Sequence, residues 1–162
     1  MDITTLLSPE RVSCETEVSS KKRAFEQLAA LLVTGYAGLE AETIFHALIN
    51  REKLGSTAIG NGVAIPHACL PIPQPLGALL VLEDGIKMDA PDKKPVQLFL
   101  AILAPANEAP NYSELITRLT GTLLQKSLIE QMCRYNDRQG MLDQFRAFFD
   151  PPERPPEGVL AA

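Results

Sequence analysis

The sequence predicts an α/β fold: a single domain in which a mixed β-sheet is flanked by helices on both faces. Three observations carry this. Two amphipathic segments precede a group of short apolar runs, and further amphipathic segments follow them, so helices bracket a sheet. The run "VQLFLAILAP" (96–105) is almost continuously apolar, which marks a central strand covered on both sides. The 162 residues show no internal repeat or linker and suit one core.

Taken in order, "KKRAFEQLAALLVTG" opens after Ser20, a residue suited to capping a helix, and places Ala24, Phe25, Leu28, Leu31 and Leu32 on one face. Gly35 supplies its stop. "AETIFHALINREK" is a second helix with Ile44, Phe45, Leu48 and Ile49 on its buried side. "STAI" and "VAIP" read as short strands joined by Gly60-Asn61-Gly62, where positive φ is easily reached. Pro66 biases Ile65 toward extended geometry and ends the second of them. "CLPIPQPLG" is then an ordered connection, and "GALLVLE" a strand. Beyond Pro110, "YSELITRLTGTLL", "KSLIEQMCRY" and "RQGMLDQFRAFF" have helical periodicity. Residues 1–150 form the expected domain. The last stretch, 151–162, has four prolines between Pro151 and Pro156 and reads as a mobile tail.

Fifteen basic residues against 20 acidic give a net charge of −5, which argues against nucleic-acid or anionic-membrane binding. No apolar run reaches the roughly 20 residues of a membrane span, and the start lacks a secretory pattern. Cys14, Cys69 and Cys133 are odd in number and show no metal-ligand spacing, so neither a disulfide framework nor a metal site is expected, and the compartment is cytoplasmic.

The chemistry concentrates in "REKLGSTAIGNGVAIPHACLP" (51–71). His67 follows a strand-ending proline, at a place where sites are often built. If one ring nitrogen gives its proton to a fixed acceptor, the other keeps a lone pair that can attack a phosphoryl group. Arg51 offers a planar charged fork for phosphate oxygens, and Ser56 and Thr57 offer hydroxyls. Bland readings stand beside these. A lone histidine is more often structural, and Arg51 could simply complement a helix C-terminus. Cys69 reads as a buried, inert thiol. The glycines lack the lysine of a nucleotide-binding loop. His46 lies off the apolar stripe of its helix and is assigned no role.

The combination "REKLGST" and "GNGVAIPH", with "SKKRAFEQLAALL", "DAPDKKPVQLFLAILAPA" and "LTGTLLQKSLIE", resembles the IIA components of the bacterial phosphoenolpyruvate-dependent phosphotransferase system. These are the mannitol/fructose superfamily, and the likeness is greatest to its nitrogen-regulatory, PtsN-like branch. The resemblance implies that His67 accepts a phosphoryl group from a histidine phosphocarrier protein (HPr/NPr-like). Arg51, Ser56 and Thr57 would line the site, with no metal or cofactor. Signalling would run through phosphorylation-dependent binding of regulatory targets that the sequence does not name. A sugar-specific IIA component passing phosphate to a IIB partner, or a degenerate binding module, are the alternatives. Two departures stand out. Tyr112 occupies the position where the family usually has a second histidine, which predicts slower transfer. Its bland reading is an aromatic that packs its ring and wets its hydroxyl. Ala58 and Ala68 replace common glycines, so those backbones should not need positive φ.

Overall fold

The computed structural model describes residues 3–15, 17–34, 36–125 and 137–149. Helix α1, Lys21–Val33, starts where Ser20 Oγ accepts a hydrogen bond from the Arg23 N–H, as its sequence requires. Helix α2 is Ala41–Lys53, α3 is Ala109–Gln125 and α4 is Arg138–Phe149. The strands are β1 (Val12–Glu15), β2 (Ala58–Gly60), β3 (Val63–Ala64), β4 (His67–Leu70), β5 (Leu76–Ile86) and β6 (Val96–Pro105). The glycine stop at Gly35, the helical reading of 126–135 with Cys133, and the tail 151–162 lie outside the described residues.

The sheet runs β1-β5-β6-β3-β2, with β4 also on β6. It is mixed: β5 and β6 are antiparallel, while β1 on β5 and both β3 and β4 on β6 are parallel. β6 is the central strand anticipated from its composition. Leu98, Leu100, Ile102 and Ala104 face one core, with Tyr112, Leu115 and Leu119 of α3 and Met141, Leu142 and Phe145 of α4. Phe99, Ala101 and Leu103 face the other, with Phe25 and Leu28 of α1 and Ile44 and Leu48 of α2. A two-residue period with both faces covered explains the unbroken apolar run. Phe45 and Ile49 are only partly buried at the margin of the α1–α2 core.

β1 was not foreseen, because four residues, "VSCE", are too few to show alternation. The Gly60-Asn61-Gly62 turn has φ of 105°, 54° and 75°, and joins β2 to β3 as an antiparallel pair. Asn61 donates from its backbone to Asp92 Oδ2 at 2.9 Å and from its side chain to the Leu124 carbonyl at 2.7 Å. Ala58 and Ala68 are not among the described residues with positive φ, as expected.

One boundary needs correction. The strand does end before Pro66, but a new one begins at once, and His67 is its first residue. β3 and β4 are successive segments along one edge of β6, with Val63 opposite Leu98 and His67 opposite Ile102. The Pro66 carbonyl between them still accepts from the Ile102 N–H at 2.9 Å. Proline lacks an N–H but keeps its carbonyl, so the edge is interrupted and the register continues. The proline-rich connection therefore starts only after Leu70.

Candidate functional site

His67 is held by the chain just before it. Its Nδ1 lies 2.7 Å from the Ile65 carbonyl oxygen. A carbonyl can only accept, so Nδ1 carries the proton and Nε2 keeps an unshared pair. Pro66 keeps Ile65 extended, which fixes the direction of that carbonyl. The pKa of His67 is lowered, first by burial, which disfavours the charged ring, and further by Arg51; the Ile65 bond and Glu52 oppose this. The ring is thus neutral at pH 7, the state in which Nε2 is a nucleophile.

A cleft of about 290 Å³ opens beside it, lined by Arg51, His67, Ala68, Cys69, Ile102, Ala104, Ala109, Tyr112, Ser113 and Ile116. Two helices supply its charged and polar walls. Arg51 comes from the last turn of α2, where Nη1 donates to the Gly55 carbonyl at 2.9 Å. That contact fits the helix-end reading of Arg51, and the same side chain also faces the cleft. Tyr112 comes from the first turn of α3. Its residue is 2% exposed and its hydroxyl is buried without a hydrogen-bond partner among the described residues. Burial, then Glu108 and Cys69, push its pKa up to about 12, so it remains a protonated donor. The wetted hydroxyl of the bland reading is therefore not what this chain has.

The two hydroxyls after Gly55 behave differently from Arg51. Thr57 is buried and donates its hydroxyl proton to Glu52 Oε2 at 2.6 Å, while its N–H donates to the same oxygen at 3.1 Å. Ser56 Oγ accepts from the Ala58 N–H at 3.2 Å. Neither residue lines the cleft. The cleft thus brings Arg51, His67 and Tyr112 together, whereas Ser56 and Thr57, expected from the sequence to line it, are not among its lining residues.

Cys69 corrects another expectation. It is exposed and lines the cleft. Alternation along β4 puts residues 67 and 69 on one face, a signal available as soon as His67 is known to start a strand. Glu52 was missed altogether. It is 6% exposed, and its Oε1 sits 3.1 Å from Lys21 Nζ. Charged residues in a helix's last turn normally face solvent, so nothing in the sequence marks this one as buried. His46 is exposed, with Nε2 3.6 Å from Glu42 Oε1.

The family model described as "Phosphoenolpyruvate-dependent sugar phosphotransferase system, EIIA 2" matches residues 5–147. The chain belongs to this family. Among curated relatives, a "Nitrogen regulatory protein homolog" of Haemophilus influenzae is 36% identical over 136 residues, covering 82% of this chain and 83% of that protein. A "Nitrogen regulatory protein" of Pseudomonas aeruginosa is 40% identical over 119 residues, covering 73% and 77%. The crystal structure of nitrogen regulatory protein IIA-Ntr from Neisseria meningitidis aligns with a TM-score of 0.79 at 35% identity, over 88% of this chain and 97% of that one. The IIA mannitol structure from Escherichia coli, at 24% identity and a TM-score of 0.68 over 85% and 97%, shares the fold. The family is that of phosphotransferase-system IIA components, on its nitrogen-regulatory branch. No helix among the described residues is long and apolar enough to cross a membrane.

Proposed function

We propose that this chain is a phosphoryl-accepting regulatory IIA protein, phosphorylated on His67 Nε2 by a histidine phosphocarrier protein in the cytoplasm. The observation that carries the reading is the 2.7 Å contact from Nδ1 to the Ile65 carbonyl, which commits the ring to the tautomer with a free Nε2. The Nε2 pair forms the new N–P bond as the N–P bond of the donor's phosphohistidine breaks, and that pair of electrons returns to the donor ring. The product ring, substituted at Nε2 and protonated at Nδ1, is positively charged and keeps its carbonyl partner.

Arg51 offsets charge on the phosphoryl oxygens, a task that dominates catalysis of phosphoryl transfer. Tyr112 supplies no positive charge, and its buried hydroxyl meets the same oxygens only as the first turn of α3 opens, so transfer is slower than a histidine there would allow. Phosphorylation adds roughly −1.5 to −2 charge to the cleft, enough to change which surfaces it accepts. Residues 1–150 make up the phosphoacceptor domain on this reading, and 151–162 lie beyond it. The name shared by the relatives supports a regulatory role over sugar transport.

The test is incubation with phosphoenolpyruvate, the first enzyme of the system and its phosphocarrier, followed by intact mass at alkaline pH, since phosphohistidine is acid-labile. Added phosphoryl mass in the wild type and none in His67→Ala is the expected result. No added mass with a competent donor would sink the proposal in favour of a binding module. Passage of the group to a IIB cysteine would favour the sugar-specific reading.

A further inference from the structure

Glu52 is an oddity on energetic grounds. A carboxylate buried beside one lysine gains little net stability, since desolvation offsets most of the attraction, and apolar residues often do as well. Its contacts lead somewhere specific. Oε1 pairs with Lys21 Nζ at 3.1 Å, and Oε2 grips Thr57 through both its N–H and its hydroxyl. The Thr57 carbonyl accepts from the Ile65 N–H at 3.0 Å. The Ile65 carbonyl is the acceptor for His67 Nδ1.

We infer that Glu52 is a positioning residue for His67, acting through Thr57 and Ile65 to hold the carbonyl that sets the ring's tautomer. Thr57 is clamped at its amide and its side chain, so its own carbonyl is fixed. That carbonyl pins Ile65 on one side, and Pro66 restricts it on the other. The Ile65 carbonyl has little freedom left, and Nε2 is presented in one orientation. Precise presentation of a reacting atom is where distant residues exert large effects on rate.

The Glu52 charge acts in the same direction through space. The ring becomes positive when Nε2 bonds phosphorus, and a fixed anion stabilises that charge as it develops. Among the described residues, the other titratable groups lining the cleft with the ring are Arg51 from α2, Cys69 from β4, and Tyr112 from α3. Of these Arg51 opposes the positive ring, and Glu52 counters it.

Glu52→Gln keeps the shape and removes the charge. Nitrogen NMR of the His67 ring, in the absence of any phosphoryl donor, should show loss of the single Nδ1–H tautomer and a titration midpoint below that of the wild type. The rate of phosphorylation should fall roughly ten- to a hundredfold. The rate measurement rests on His67 being the acceptor, whereas the spectra do not. A wild type that takes no phosphate therefore defeats the proposed function and leaves the spectra to judge Glu52. A folded Glu52→Gln protein with wild-type tautomer and midpoint overturns the inference. Should that variant not fold, Thr57→Val decides on the same spectra: it leaves the amide contact and deletes the hydroxyl contact. A partial loss of the single tautomer supports the role, and an unchanged ring overturns it.

Discussion

Tyr112 concentrates opposing demands in one atom. Its buried hydroxyl, unpartnered among the described residues, carries a desolvation cost, so Tyr112→Phe should raise stability by about 1 kcal/mol in thermal or urea denaturation. The same variant should slow phosphorylation where the first turn of α3 opens and the hydroxyl meets the phosphoryl group; an unchanged rate would mean the hydroxyl stays buried throughout. Tyr112→His should speed phosphorylation, and no gain there would mean the tyrosine is not what limits transfer. Cys69 gives a second residue-scale prediction. An exposed thiol on the wall that holds His67 should react with a maleimide, and the labelled protein should lose phosphorylation, whereas Cys69→Ser, labelled at the exposed Cys14 alone among the described residues, should keep it. Of these residues, His67 and Arg51 were legible because their chemistry fits their local motif. Glu52 was not, since burial of a charge is decided by a lysine 31 positions earlier and a threonine on the next loop.

At the scale of elements, the turn between β2 and β3 does more than reverse the chain. The Gly62 carbonyl accepts from both Gln97 and Leu98, so the turn sets β3 against β6 before His67 is reached. Gly62→Ala, at φ 75°, should cost about 1–2 kcal/mol in a denaturation experiment and reduce the phosphorylation rate of the folded fraction as well. Wild-type rates at lowered stability would show that β4 finds its register without the turn. The helices α1, α2, α3 and α4 were readable from periodicity and the strand β6 from its unbroken apolar run, both of which report the faces an element buries. The division of one edge between β3 and β4 was not. Proline signals a break, yet whether the chain leaves the sheet or resumes on the same neighbour depends on that neighbour.

The whole molecule feels the histidine through its proton balance. His67 has a folded pKa below the ordinary value of about 6.5, so between the two values the unfolded chain binds more protons than the folded one. Stability therefore falls as pH drops below about 6.5 and this loss stops growing once the folded ring itself titrates. Urea unfolding from pH 7.5 downward should show an added acid-side loss in the wild type that His67→Gln lacks. Equal slopes would mean that burial of the ring costs the protein nothing. The sheet lies between two helical layers, and a single domain of this size ordinarily unfolds in one cooperative step, so a site-specific proton is visible in a global measurement.

His67 is paired in register with Ile102, and Ile102 is fully buried in the middle of the central strand. The His67 ring is thus indexed to the buried interior of the sheet. Variation that the interior accepts must also leave that alignment intact, which narrows the substitutions a lineage can sample in β6. Loops and helix surfaces around the cleft lie outside that register, so substitutions there leave the placement of His67 as it is.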